Sequence, residues 1–139
     1  ALVLGEILAE GEIHIPIAHD PRRADRMVGC RETEKGERLG ARPASTEYRP
    51  VLHFDRATLV RVVMQTGVRH QVRVHLAAIG HPIAGDRLYG SGASLMGLHR
   101  QGLHASRVTL QHPSSGEKMT VESPLPRDFE DALQRLERR

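Results

Sequence analysis

A single cysteine, Cys30, stands in the 139 residues, so no internal disulfide can form and no CxxC pair is present to hold zinc. Tryptophan is absent, and Tyr48, Phe54, Tyr89 and Phe129 are the whole aromatic complement. That is too few for a platform on which single-stranded bases stack. No apolar run approaches the roughly 18 residues of a membrane-spanning helix. The first twenty residues carry Glu6, Glu10, Glu12 and Asp20 but no Lys or Arg, unlike the basic start of a secretory signal. These absences lead us to expect a cytoplasmic protein without a membrane partner. Asparagine is missing altogether, and lysine occurs only as Lys35 and Lys118 among 20 basic residues.

Arginine therefore supplies nearly all the positive charge, and its planar fork suits phosphate and carboxylate better than an ammonium does. The net charge is only +3, but it is unevenly spread. Residues 61–110 hold six Arg against one Asp, with five of the nine His. Hydrophobic residues make up 39% and charged residues 27%, a globular composition of single-domain length.

Gly11–Ile17 alternates polar and apolar residues as a half-buried strand does, with Pro16 marking an edge or an end. From Asp20 to Arg42 the chain is polar and highly charged, and we expect a loop over 20–42. Thr46–Phe54 and Thr58–Gln65 read as an antiparallel hairpin around Asp55-Arg56-Ala57. Val72, Leu76 and Ile79 recur at helical spacing and predict a helix over His70–Ile79, stopped by Gly80-His81-Pro82. Beyond a Gly/Ser-rich turn around Gly90–Gly97, Leu103–Leu110 and Lys118–Glu122 form a second hairpin across His112–Gly116. A short helix, Phe129–Leu136, with Asp128 at its N-terminus, ends the pattern. The class is an α/β mixture of the α+β type, rich in antiparallel strands and lacking the regular alternation of a doubly wound sheet.

The chemistry concentrates in Thr66–Leu76 and Gly80–Asp86. Arg69 and Arg73 lie four apart and His70 three from Arg73, so all three share one side of a helix start. Cations there oppose the helix dipole at a cost of about 0.3–1 kcal/mol each, an arrangement that calls for an anion. A metal site is not expected: HExxH is absent, and His70 and His75, five apart, do not share a helical face. Asp86 follows a glycine and reads first as a turn residue; as a catalytic nucleophile it is the weaker reading. Ser91 and Ser94 have no evident relay, and no GxSxG or phosphate-binding loop occurs. His104 reads as a structural histidine.

Several motifs now stand in order: Gly67, His70-Gln71-Val72-Arg73-Val74-His75-Leu76, Gly80-His81-Pro82-Ile83-Ala84-Gly85-Asp86, Tyr89-Gly90, Leu103-His104-Ala105 and His112-Pro113. With Ala44–Tyr48 and Pro124-Leu125-Pro126, this series resembles the RluA-type family of RNA pseudouridine synthases over nearly the whole chain. The resemblance implies a mainly antiparallel central sheet flanked by helices and loops. It also implies isomerisation of uridine in RNA without cofactor or metal, the target nucleotide being flipped from its stack. Arg73 then corresponds to the arginine that pairs with the family's catalytic aspartate. Arg69, His70, Gln71, Arg87, Tyr89 and Leu103 are the candidate substrate- and RNA-binding residues, Leu103 lining the pocket.

Two departures accompany the resemblance. The family's usual Thr-Gly-Arg-x-His-Gln reads Thr66-Gly67-Val68-Arg69-His70-Gln71 here, shifting the first arginine by one place. The family's aspartate, in His-Arg-Leu-Asp, and a following tyrosine lie upstream of everything in this sequence. We therefore expect residues 1–139 to be the C-terminal part of a single catalytic domain, inactive alone, within an enzyme that modifies ribosomal rather than transfer RNA as a monomer. The alternative is a non-catalytic RNA-binding module of the same fold.

Overall fold

The computed structural model describes residues 1–92 and 94–138, so Ala93, within the expected Gly90–Gly97 turn, lies outside the described residues. The central feature is a four-stranded antiparallel sheet of, in spatial order, β1 (Leu2–Leu4), β6 (Ala57–Met64), β5 (Thr46–Phe54) and β2 (Gly11–Ile13). Its spine is the expected hairpin, β5 (Thr46–Phe54) and β6 (Ala57–Met64), turned by Asp55-Arg56. The register shifts between Pro50 and Leu52; Pro50 has no N–H to give the ladder, and a bulge absorbs the mismatch. β1 (Leu2–Leu4) pairs with β6 and β2 (Gly11–Ile13) with β5.

The single strand expected over Gly11–Ile17 is divided. It ends as β2 at Ile13 and resumes past Pro16 as β3 (Ile17–His19), which pairs with β4 (Met27–Gly29) in a separate small sheet. The expected loop over 20–42 is corrected accordingly: it contains β4 and a helix, α1 (Thr33–Leu39), closed by Gly40 in the left-handed conformation. Its dense charge concealed this order, because α1 buries no side chain and so shows no apolar period.

Helix α2 (Gln71–Ala78) follows β6, and the second hairpin is β7 (Arg107–Gln111) with β8 (Lys118–Glu122). The strand expected from Leu103 begins only at Arg107. Helix α3 (Arg127–Glu137) buries the expected Phe129, Ala132, Leu133 and Leu136 against Leu2, Ala57, Ala84 and Leu98. Asp128, in its first turn, accepts two hydrogen bonds from Arg100 at 2.8 and 2.9 Å.

Two further apolar clusters grip α2 from different sides. Val72 and Leu76 pack with Val3, Ile7, Val60 and Ile83, while Val74 packs with Ile17, Met27 and Ala44. Each fully buried aliphatic side chain contributes roughly 1.5–3 kcal/mol. With both flanks held, the direction of Arg73 between Val72 and Val74 is set by the core.

Candidate active site

Strand β6 delivers the chain to α2 through Gln65–His70, and a buried amide fixes the junction. Gln71, only 2% exposed, donates through Nε2 to the Ser45 carbonyl at 2.8 Å and to Thr46 Oγ1 at 2.9 Å. Its Oε1 accepts from Thr66 Oγ1 at 2.8 Å and from the Val68 amide at 3.1 Å. Every polar atom of the side chain is thus engaged, and Gln71 ties β5, the end of β6 and the start of α2 together. It is an interior residue, with no group left over for a ligand.

The chain continues from Thr46 to His75, which is completely buried. His75 Nε2 lies 2.8 Å from the Ile15 carbonyl, and Nδ1 lies 2.8 Å from Thr46 Oγ1. A carbonyl can only accept, so Nε2 carries the proton, and Nδ1 accepts from the Thr46 hydroxyl, which itself accepts from Gln71. Burial holds the His75 imidazole below its ordinary pKa, against the pull of the Ile15 carbonyl.

Arg73 extends from α2 to Asp86. Nε to Oδ2 is 2.7 Å and Nη2 to Oδ1 is 2.9 Å, a forked pair in which the carboxylate is wholly buried and the Arg73 side chain 13% exposed. Asp86 Oδ1 also accepts the amides of Leu88 at 2.9 Å and Tyr89 at 3.1 Å. Burial pushes the Asp86 carboxyl pKa up, but the Arg73 guanidinium and these two amides outweigh it and hold it below the usual value. The Asp86 hydrogen bond likewise raises the pKa of Arg73. The anion that the helix start calls for is therefore supplied within the chain, by a residue read from sequence as a turn former. It is both. Among the described residues no acceptor is hydrogen-bonded to Arg73 Nη1, which leaves one edge of the guanidinium for a second anion.

Tyr89 closes the other side. The guanidinium carbons of Arg73 and Arg26 lie 5.0 and 5.4 Å from its ring centroid, within cation–π range. Its hydroxyl accepts from the Met27 amide at 2.8 Å and lies 2.8 Å from His70 Nδ1. His70 caps α2 with φ +57, a left-handed backbone that costs a histidine of order 1–3 kcal/mol and is typical of functional sites. The remaining candidates spread outward. Arg69 and Arg87 are exposed, and Leu103 is half-buried against the Val3 and Ile83 cluster. Among the described residues, no three His, Cys, Asp or Glu side chains are grouped to hold a metal ion.

The family model for RNA pseudouridylate synthases matches residues 1–78, including β1, the β5–β6 hairpin and all of α2. The chain belongs to the RNA pseudouridylate synthase family. Its relatives include the ribosomal large subunit pseudouridine synthase D of Nitrosomonas europaea, 38% identical over 98% of this chain and 39% of that protein. An uncharacterized RNA pseudouridine synthase of Chloroflexus aurantiacus is 40% identical over the whole of this chain and 42% of that protein. The chain thus spans about two fifths of the length of these relatives. Among solved structures, human RNA pseudouridylate synthase domain containing 1 superposes with a TM-score of 0.72 at 28% identity, over 91% of this chain and 53% of the human one. Human RNA pseudouridylate synthase domain containing 4 gives 0.70 at 25%, over 99% and 60%.

For this member of the family, sequence reasoning missed two connections: the pairing of Arg73 with Asp86, and the link from Met27 through Tyr89 to His70. A signal for the first lay in the Gly85-Asp86 step. Gly85 has φ +75, and a Cβ there would sit 2.2 Å from the Arg100 carbonyl oxygen. Only glycine leaves the turn tight enough to aim Asp86 inward. The second had no sequence signal, because Met27 contributes its backbone alone.

Proposed function

We propose that this chain forms the arginine side of an RNA pseudouridine synthase active site, within an enzyme that isomerises uridine in ribosomal RNA. In that reaction the bond from N1 of the base to C1′ of the ribose breaks, a bond from C5 to C1′ replaces it, and the proton on C5 is lost while N1 gains one. No oxidant, metal or cofactor is required. A catalytic carboxylate must stay ionised at neutral pH, and an always-charged guanidinium beside it secures this. The observation that carries the reading is the half-buried Arg73, held by the buried Asp86 through Nε and Nη2 and open at Nη1, inside the segment matching the family.

The aspartate that would meet Nη1 is the one the resemblance places upstream of Ala1, so residues 1–139 alone are inactive. RNA lies over the basic side of the domain. Supporting this, the groove beside Tyr89 is lined by Arg26, Arg31 and Lys35, three cations able to neutralise successive phosphates. Arg69 and Arg87, both exposed, serve the same backbone, while Leu103 lines the pocket for the flipped base. Ribosomal rather than transfer RNA is the substrate, in keeping with the name of the Nitrosomonas relative, and the protein works as a cytoplasmic monomer.

The test is release of tritium from ribosomal RNA labelled at C5 of uridine. The longer protein is expected to release it and the 139-residue chain is not. Turnover by the chain alone, or none by the longer protein on any RNA, overturns the reading.

A further inference from the structure

Two hydrogen-bond chains of identical sense run through this domain, and only one of them ends inside it. The first runs from Gln71 Nε2 to the Thr46 hydroxyl, to His75 Nδ1, and from His75 Nε2 to the Ile15 carbonyl. The second runs from the Met27 amide to the Tyr89 hydroxyl and on to His70 Nδ1. The Met27 N–H can only donate, so the Tyr89 oxygen accepts it and turns its one proton toward His70. Were Nδ1 protonated instead, two donors would face the phenol oxygen and the phenolic proton would have no acceptor among the described residues. His70 is therefore the Nε2–H tautomer, as His75 is. Where His75 meets a carbonyl, His70 Nε2–H meets no acceptor among the described residues.

We propose that Tyr89 is a positioning residue that fixes His70 as an uncharged donor, its Nε2–H presented beside the Arg73–Asp86 pair to an acceptor oxygen of the bound RNA. The destination of this donor rests on the RNA reading above; its tautomer does not. The surroundings agree. Desolvation, then the charges of Arg73 and Arg69, lower the pKa of His70, against the opposing pull of Asp86 and Asp25, so the imidazole stays neutral at physiological pH. Its ring stands edge to face on Tyr89, centroids 5.6 Å apart at 77°. The left-handed backbone at residue 70 holds the ring there at a conformational cost that capping does not explain, since His70 makes no side-chain cap hydrogen bond. An uncharged donor also adds no further cation to a site that already holds Arg26, Arg69 and Arg73.

The test reads the ring nitrogens of His70 by NMR in the 139-residue chain. In the unliganded protein at neutral pH, Nε2 should be protonated and Nδ1 bare, and Tyr89→Phe should mix the tautomers and move the His70 titration up toward its ordinary value. His70→Asn serves as the folding control: Asn tolerates the left-handed backbone and can accept from Tyr89 but lacks the distal N–H, so its melting temperature should stay near that of the parent. A uridine-containing single-stranded RNA should then shift the Nε2–H resonance. The same shift with inorganic phosphate assigns a phosphate oxygen, and with uridine a base or ribose oxygen. A proton on Nδ1, or Tyr89→Phe without effect on the tautomer, overturns the positioning role. RNA that moves the Arg73 resonances but not His70 overturns the donor role alone. RNA that moves nothing overturns both the donor role and the RNA reading, while the tautomer measurement in free protein still stands or falls separately.

Discussion

Arg73 in α2 and Asp86 in the following turn, 13 positions apart in the chain, meet fork to fork at 2.7 and 2.9 Å, and the carboxylate has no solvent exposure. A pair so placed is costly to break from one side, because the buried site was shaped around both charges and the forked hydrogen bonds of Arg73 lose their ionised acceptor. Asp86→Asn keeps the shape and removes the charge. It should cost about 3–5 kcal/mol, seen as a lower urea midpoint at unchanged slope. The pH dependence has a definite sign. The Asp86 pKa is depressed in the folded state, so its stabilisation is present above the unfolded value near pH 3.9 and is lost as pH falls through the folded value. The gap between parent and Asp86→Asn should therefore narrow only in strong acid; a gap that closes by pH 6 would reject the ion pair as its source.

Arg73→Lys retains a charge but not the fork, so it should keep part of the stability and lose geometry at the site. In the longer protein we expect turnover, read by tritium release, to fall by about a hundredfold or more, the scale on which a misplacement near 1 Å acts. Turnover within twofold of the parent would remove Arg73 from the mechanism.

Gly85→Ala tests the turn that aims Asp86. The new Cβ meets the Arg100 carbonyl oxygen at 2.2 Å from a backbone at φ +75, and backbone cannot swing aside as a side chain can. Strain and overpacking together should cost about 3 kcal/mol or more, measured by thermal unfolding. An unchanged melting temperature would mean the turn relaxes freely and does not fix Asp86.

How much of this was legible in advance follows from the range of each interaction. The β5–β6 hairpin and α2 announce themselves through local periodicity, and of the cluster Arg69, His70 and Arg73 the anion Asp86 meets Arg73 alone, since α2 begins only at Gln71. What stayed hidden depends on groups distant in sequence or silent in it. Asp86 reaches Arg73 only because Pro82–Gly85 folds back under α2, and the same carboxylate accepts two turn amides, which was the simpler reading. Gln71 stands among the candidate RNA contacts through the family resemblance, and only its burial shows that its amide is spent inside the fold. Helix α1 was masked by its charge and buries no side chain, and strand β4, only Met27–Gly29, is too short to show the alternation from which strands are recognised. Tyr89 is joined to β4 through a backbone amide, a donor that every residue but proline possesses.

The two neutral histidines give the chain a second pH response. Folded His70 and His75 both have lowered pKa values, so below the unfolded value near pH 6.5 the unfolded chain binds protons that the folded one refuses. Stability should therefore fall as pH drops from about 6.5 toward the folded values. Of the two, His75 is wholly buried and should dominate. His75→Gln, whose amide can still donate to the Ile15 carbonyl, should lower stability by about 1–3 kcal/mol at pH 7.5 and flatten the slope between pH 7.5 and 5.5. If urea midpoints of parent and variant fall in parallel, the titrating group lies elsewhere.

The β7–β8 hairpin carries the last prediction. Every residue of both strands is exposed, and the register places Val108 opposite Val121 and Leu110 opposite Met119. These four side chains share one face of a two-stranded ribbon, at 51%, 49%, 41% and 38% exposure. Two strands alone are marginal in water, and an apolar face with open edges invites pairing between molecules. Because the face is already exposed in the folded chain, making it polar removes little burial. Val108→Thr with Val121→Thr should leave the thermal midpoint nearly unchanged, within the roughly 0.5 kcal/mol typical of surface substitutions. Self-association should meanwhile fall, read as a smaller weight-average mass by sedimentation at high protein concentration. A large loss of stability would show instead that the hairpin packs on its own domain, and an unchanged association would clear this face of responsibility for it.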